Sequence, residues 1–71
     1  MSTRNAITEW PQNYIARFEF HGAIAYQLYV QSQPVTSERP NIDMCYAVAR
    51  QFKVAPESLP VRDCDAGEWI A

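Results

Sequence analysis

Histidine occurs once in this sequence, at His21, and cysteine only twice, at Cys45 and Cys64. That scarcity removes most of the chemistry that needs a base, a nucleophile or a soft metal ligand. Zinc sites are built from closely spaced ligand pairs, and no such pair is present. Asp63-Cys64-Asp65 begins like a calcium loop but does not continue into the twelve-residue ligand series. No metal and no cofactor is expected. Cys45 falls on an apolar helical stripe, where a thiol stays protonated. Cys64 stands between two carboxylates, whose charge raises a thiol pKa and lowers its nucleophilicity. No catalytic residue is assigned, and the chain is not expected to be an enzyme. Without a secretory signal the two thiols are expected to be reduced, with a single Cys45–Cys64 bridge as the alternative.

Basic residues are also few. Six Lys and Arg face eight Asp and Glu, for a net charge of −2. A binder that neutralises phosphates needs a basic face, so nucleic acid is not an expected partner. No apolar run is long enough to cross a bilayer and no signal-peptide pattern opens the chain, so a soluble cytoplasmic protein is expected. The acidic character is concentrated late: residues 54–71 hold Glu57, Asp63, Asp65 and Glu68 against Arg62 alone. Asp63, Asp65 and Glu68 are therefore candidates for a patch that meets a basic protein partner, with Trp69 and Tyr29 as aromatic anchors.

What the chain does have is strict alternation. Tyr14-Ile15-Ala16-Arg17-Phe18-Glu19-Phe20 and Ile24-Ala25-Tyr26-Gln27-Leu28-Tyr29-Val30 flank His21-Gly22-Ala23, the pattern of a hairpin with one buried face. A two-residue loop at Gly22-Ala23 would mix polar and apolar residues on both faces. A three-residue loop pairs Phe20 with Ile24, Phe18 with Tyr26, Ala16 with Leu28 and Tyr14 with Val30, giving one apolar face. The second register is the one expected.

Gln31 to Pro40 reads as a polar connection. A helix follows over roughly Asn41 to Lys53, with Asn41 as N-cap, Asp43 in the first turn, and Arg50 and Lys53 in the last. Its apolar stripe, Ile42, Cys45, Val48, Ala49 and Phe52, is expected to pack on Phe18, Phe20, Tyr26 and Leu28. The prolines between Val54 and Pro60 mark a turn. Asp65-Ala66-Gly67 then reads as a three-residue loop pairing Asp63 with Trp69 and Val61 with Ala71. The fold class is α+β: a small antiparallel sheet of a hairpin plus a C-terminal strand or short hairpin, packed on one α-helix in ββαβ order. Residues 1–13 are expected to be a flexible N-terminal segment with Trp10 folded back over the hairpin, and residues 14–71 a single domain.

One local resemblance bears on function. Ala47-Val48-Ala49-Arg50-Gln51-Phe52-Lys53-Val54-Ala55-Pro56-Glu57-Ser58-Leu59-Pro60-Val61-Arg62 resembles the helix-turn-helix pattern, with small residues on a first helix and an apolar residue in the turn. The resemblance implies a second helix from Pro56 that offers Glu57, Ser58 and Arg62 to DNA. Pro60 would sit inside that helix, at a cost of about 3 kcal/mol. The preferred expectation is a small non-enzymatic protein-binding module, an inhibitor or adaptor of the kind encoded by phages and mobile elements. A small ligand-binding protein is the further alternative. With 48% apolar residues on 71 positions, some apolar surface must stay outside, which favours a protein partner or a homodimer.

Overall fold

A computed structural model describes residues 10–70. The alternating runs form β1 (Tyr14–Phe20) and β2 (Ala23–Val30), an antiparallel pair. Their connection is neither of the two loops weighed from the sequence. It is a two-residue turn at His21-Gly22, with φ of 54° and 82°. Positive φ at both central residues is the type I′ arrangement, whose twist matches that of the flanking strands. A three-residue loop wants its left-handed residue last, and Gly22 is followed by Ala23, so the shorter turn wins.

That one-residue change exchanges the faces of β1. Tyr14 now pairs with Tyr29, Ile15 with Leu28, Arg17 with Tyr26 and Phe18 with Ala25. Tyr26 and Leu28 still face the helix, as expected. Phe18 and Phe20 do not: Ile15 takes their place, and they stand on the opposite side of the sheet. A register slip of one inverts every side chain of a strand, and that is the error in the sequence reading. Arg17 is tolerated on the helix side because its guanidinium meets Asp63 at 3.3 Å.

The stretch read as a plain connection carries structure. Gln31 and Ser32, with φ of 54° and 64°, make a second tight turn into β3 (Gln33–Pro34), which pairs with Tyr29 and Val30. The chain then continues along the outer edge of β2. Val35 N donates to Leu28 O, Leu28 N donates to Thr36 Oγ1, and Tyr26 and Arg39 exchange both backbone bonds. This ascent brings the chain back to the His21 end of the sheet.

Helix α1 (Ile42–Gln51) makes the return journey. Asn41 Oδ1 accepts from Met44 N at 3.2 Å, confirming the cap. The helix stops two residues before the expected end. Lys53 adopts φ 62°, its N–H donates to Arg50 O, and Val54 N donates to Ala49 O, a Schellman closure. Phe52 is therefore a capping residue, 46% exposed, instead of the last member of the buried stripe.

Because α1 descends, β4 (Val61–Asp63) begins beside Ile15 and runs parallel to β1. The expected purely antiparallel sheet in ββαβ order is thus a mixed one, with three strands before α1 and two after it, arranged β3-β2-β1-β4-β5. β5 (Glu68–Trp69) returns antiparallel, pairing Trp69 with Arg62 and Glu68 with Asp63 across a four-residue connection, Cys64 to Gly67. Gly67 supplies the left-handed position, φ 74°, and donates to Asp63 O. The expected pairing of Asp63 with Trp69 is corrected by one residue, and Ala71 lies outside the described residues. Pro56–Ser58 form a single 3-10 turn and Val61 enters the sheet, so the second helix implied by the helix-turn-helix resemblance does not form.

The core lies between α1 and one face of the sheet: Ile15, Leu28, Cys45, Ala49, Leu59 and Val61. Ala16 and Ala25 are also buried, low on the other face. None of the nine aromatic side chains is buried. With one helix as the only second layer among the described residues, the molecule is 19 Å across its thinnest direction.

Candidate functional site

The side of the sheet away from α1, which no element among the described residues covers, collects what the core does not use. Alternation and register assign to it Tyr14, Ala16, Phe18 and Phe20 of β1, and Ala23, Ala25, Gln27 and Tyr29 of β2. Pro34, Arg62 and Trp69 join them from β3, β4 and β5. Two cross-strand rows lie side by side. One runs Pro34, Tyr29, Tyr14; the next runs Gln27, Ala16, Arg62, Trp69.

These rows bring four aromatic rings and one cation together. Tyr14 and Tyr29 stack with ring centroids 4.7 Å apart and planes 4° from parallel. Trp69 meets Tyr14 edge-on at 5.7 Å. Trp10 closes the group, edge-on to Tyr14 at 5.4 Å and to Trp69 at 5.3 Å. The Arg62 guanidinium carbon lies 4.8 Å from the Trp10 centroid and 5.3 Å from that of Trp69. A guanidinium at this range is held by the ring quadrupoles, by roughly 0.5–1 kcal/mol where water has access. Trp10 is in place because the segment before β1 is bonded to the β2–β3 turn: Ser32 N donates to Gln12 O, and Gln31 N to Asn13 Oδ1. The first nine residues lie outside the described ones.

At the other end of the same face Phe18 meets Phe20 edge-on at 6.1 Å, and the His21 ring packs on Phe20 at 4.3 Å. A shallow depression of about 250 Å³ sits nearby, between Phe20, Ile24 and the Glu38–Pro40 segment.

The five residues named from the sequence are divided by the sheet. Tyr29 and Trp69 belong to the aromatic group. Asp63 and Glu68 pair across β4 and β5, on the helix side. Asp63 is occupied: Oδ2 accepts from Arg17 and Oδ1 accepts from the backbone N–H groups of Asp65 and Ala66. Asp65 Oδ2 accepts from Glu19 N at 2.8 Å, continuing the β1 ladder with a side chain. Two of the three carboxylates thus hold the turn together, and the acidic end is not one continuous patch with Trp69. Tyr14 and Arg62 were missed from the sequence, whereas Trp10 folds back over the hairpin as expected, against Tyr14. The signal for Tyr14 and Arg62 is the pairing register, which the tight His21-Gly22 turn determines.

Titration chemistry is modest. Burial pushes the Tyr14 phenol above its ordinary value, and the nearby Tyr29 and Cys64 add to that. Burial likewise raises the Cys45 thiol, against weaker opposition from Thr36 and Arg39. Cys64 is raised by burial first; Arg62 opposes that, and Asp65 and Asp63 add to it. Both cysteines are free thiols. Among the described residues no group of three His, Cys, Asp or Glu side chains is placed to hold a metal ion. No helix among them is long and apolar enough to cross a membrane. No known protein family matches this chain, and no curated protein or solved structure matches it either.

Proposed function

We propose that this chain is a non-enzymatic protein-binding module that engages its partner through the uncovered face of the sheet. The observation that carries the reading is the Trp10, Tyr14, Tyr29, Trp69 and Arg62 group. Trp, Tyr and Arg are the side chains that dominate binding energy at protein interfaces, because they bury much area with few rotors. Here all five are pre-positioned by strand pairing or by mutual packing, so little ordering entropy remains to oppose binding. Cys45 is buried in the core, where burial raises its thiol, and His21 packs edge-on against Phe20 at a turn, which supports a binding role over nucleophilic chemistry. A module of this size acts by occupying a surface of its partner, as an inhibitor or an adaptor.

The test is affinity capture from the native host, followed by calorimetric titration of the protein recovered. Trp69→Ala should weaken binding by about 2 kcal/mol or more, roughly thirtyfold. Arg50→Ala, on the exposed side of the helix, should bind like wild type. Equal binding by both variants would remove the open face from the function.

A further inference from the structure

We infer that the occupant of the open face is a second copy of this chain, the two sheets packing face to face as a symmetric dimer. The inference rests on the reading above that this face is a binding surface, and it names the partner.

The first support is the division of apolar material. Among the described residues the buried core holds eight, three of them alanine and one cysteine, and no aromatic ring. Six of the nine aromatics lie on the open face. A domain of this length rarely draws more than a few kcal/mol from one core and commonly gains stability by oligomerising. Among the described residues no second element layers over this face, and another copy supplies such a layer whenever the chain is present.

The second support is charge. Among residues that the strand register assigns to the open face, Arg62 carries the only formal charge, and it is already engaged by two indole rings. Charge depletion around an aromatic centre is the composition of homodimer interfaces. A nucleic-acid strand would stack on the same rings, but it needs several cations along its backbone, and this face has one.

The third support is area. The 22 strand residues, at about 3.3 Å each along strands about 4.8 Å apart, give a face of roughly 350 Å² in projection. Two such faces sum to roughly 700 Å², and the standing rings raise the accessible area towards the ~1,200 Å² lower bound of specific interfaces. The short edge strands β3 and β5 keep it at or below that bound, the size of weak, transient interfaces. Sheets that pack face to face lie about 10 Å apart, with interdigitating side chains.

The experiment is sedimentation equilibrium on the wild-type chain from about 1 to 200 µM, a range set by the weak affinity expected of so small an interface. The average mass should rise from 8.2 kDa towards twice that value, at low and high salt alike. The urea midpoint should rise with protein concentration, which needs no variant. Phe20→Asp, at an exposed position beside the turn, should keep the helical circular dichroism and stay monomeric through the range. Met44→Asp, exposed on α1, should dimerise like wild type. A wild-type mass of 8.2 kDa throughout, with a concentration-independent midpoint, overturns the inference. A dimer lost in Met44→Asp but kept in Phe20→Asp overturns it too, by placing the interface on the helix side. A monomer that captures a different protein in a Trp69-dependent way overturns the second copy but leaves the binding reading standing. If neither association nor capture depends on the open face, both fail.

Discussion

Replacing Ile15 and Phe18 by alanine, one at a time, tests which side of β1 is the inside. Ile15 is fully buried between α1 and the sheet. Truncation removes three carbons at about 0.8 kcal/mol each, and the cavity left behind adds about 1 kcal/mol more. Ile15→Ala should therefore cost about 3–4 kcal/mol. Phe18 is larger, but it is only partly buried, on the open face, and its loss leaves a dent open to water, with no cavity. Its partial burial is worth about 1–2 kcal/mol. A domain of 71 residues has roughly 4–10 kcal/mol in total, so Ile15→Ala is near the limit of folding. Ile15→Val, at about 1 kcal/mol, provides a variant that surely folds. Urea denaturation at about 1 µM, below the concentration at which association would stabilise the fold, is the assay. The two alanine variants should differ by about 1–2 kcal/mol, or roughly 4 °C or more in Tm for a domain of this size. If Phe18→Ala were the more damaging, the helix would be packing on the other row and the open face would not exist.

Asp65→Ala should cost about 1 kcal/mol in the same assay, because it removes the acceptor for Glu19 N–H, whereas Glu68→Ala should change stability by less than about 0.5 kcal/mol. Alkaline unfolding should report Tyr14. Its phenol is held above the ordinary value of 10.0, so its neutral form is favoured in the folded state, and that contribution is complete below pH 10. The contribution is lost as pH rises through the raised folded value, and Tyr14→Phe should flatten that limb of the stability profile measured by urea melts.

Much of the local structure was legible in the sequence, and the reason is that local rules decided it. Asn41 caps the helix, Cys45 and Ala49 lie on its buried stripe, and Gly67 takes the left-handed position of the last turn. What failed were decisions between neighbours of nearly equal merit. Both faces of β1 carry apolar residues, and the row with two phenylalanines looks more hydrophobic than the row with Ile15 and Arg17. Only the backbone preference of His21-Gly22 for a two-residue turn separates them, and histidine is a weak signal for positive φ. Gln31-Ser32 is weaker still, so β3 went unseen. The parallel entry of β4 left no trace at all, since period-two alternation says nothing about strand direction. For the candidate site the consequence is specific. Tyr29 and Trp69 could be named as aromatics lacking a place in the core. Their meeting with Tyr14, Trp10 and Arg62 depends on both hairpin registers, each shifted by one from expectation.

The pairing of β1 with β4 also sets the order in which this molecule can be assembled. Arg17 and Asp63 are 46 positions apart, yet they sit on adjacent strands at the middle of the sheet. The hairpin of β1 and β2 can close early, because its ends are near in sequence. One edge of β1 then stays open, with unpaired backbone groups, until the chain has been made through Asp63 and the helix has turned back. During synthesis that edge is a template for any extended segment within reach. Folding should be slower than for a helical bundle of equal length, and chains interrupted before residue 61 should be prone to aggregate. Substitutions that weaken α1 would prolong this exposed stage, and would show first as poor recovery of soluble protein, before any loss of binding.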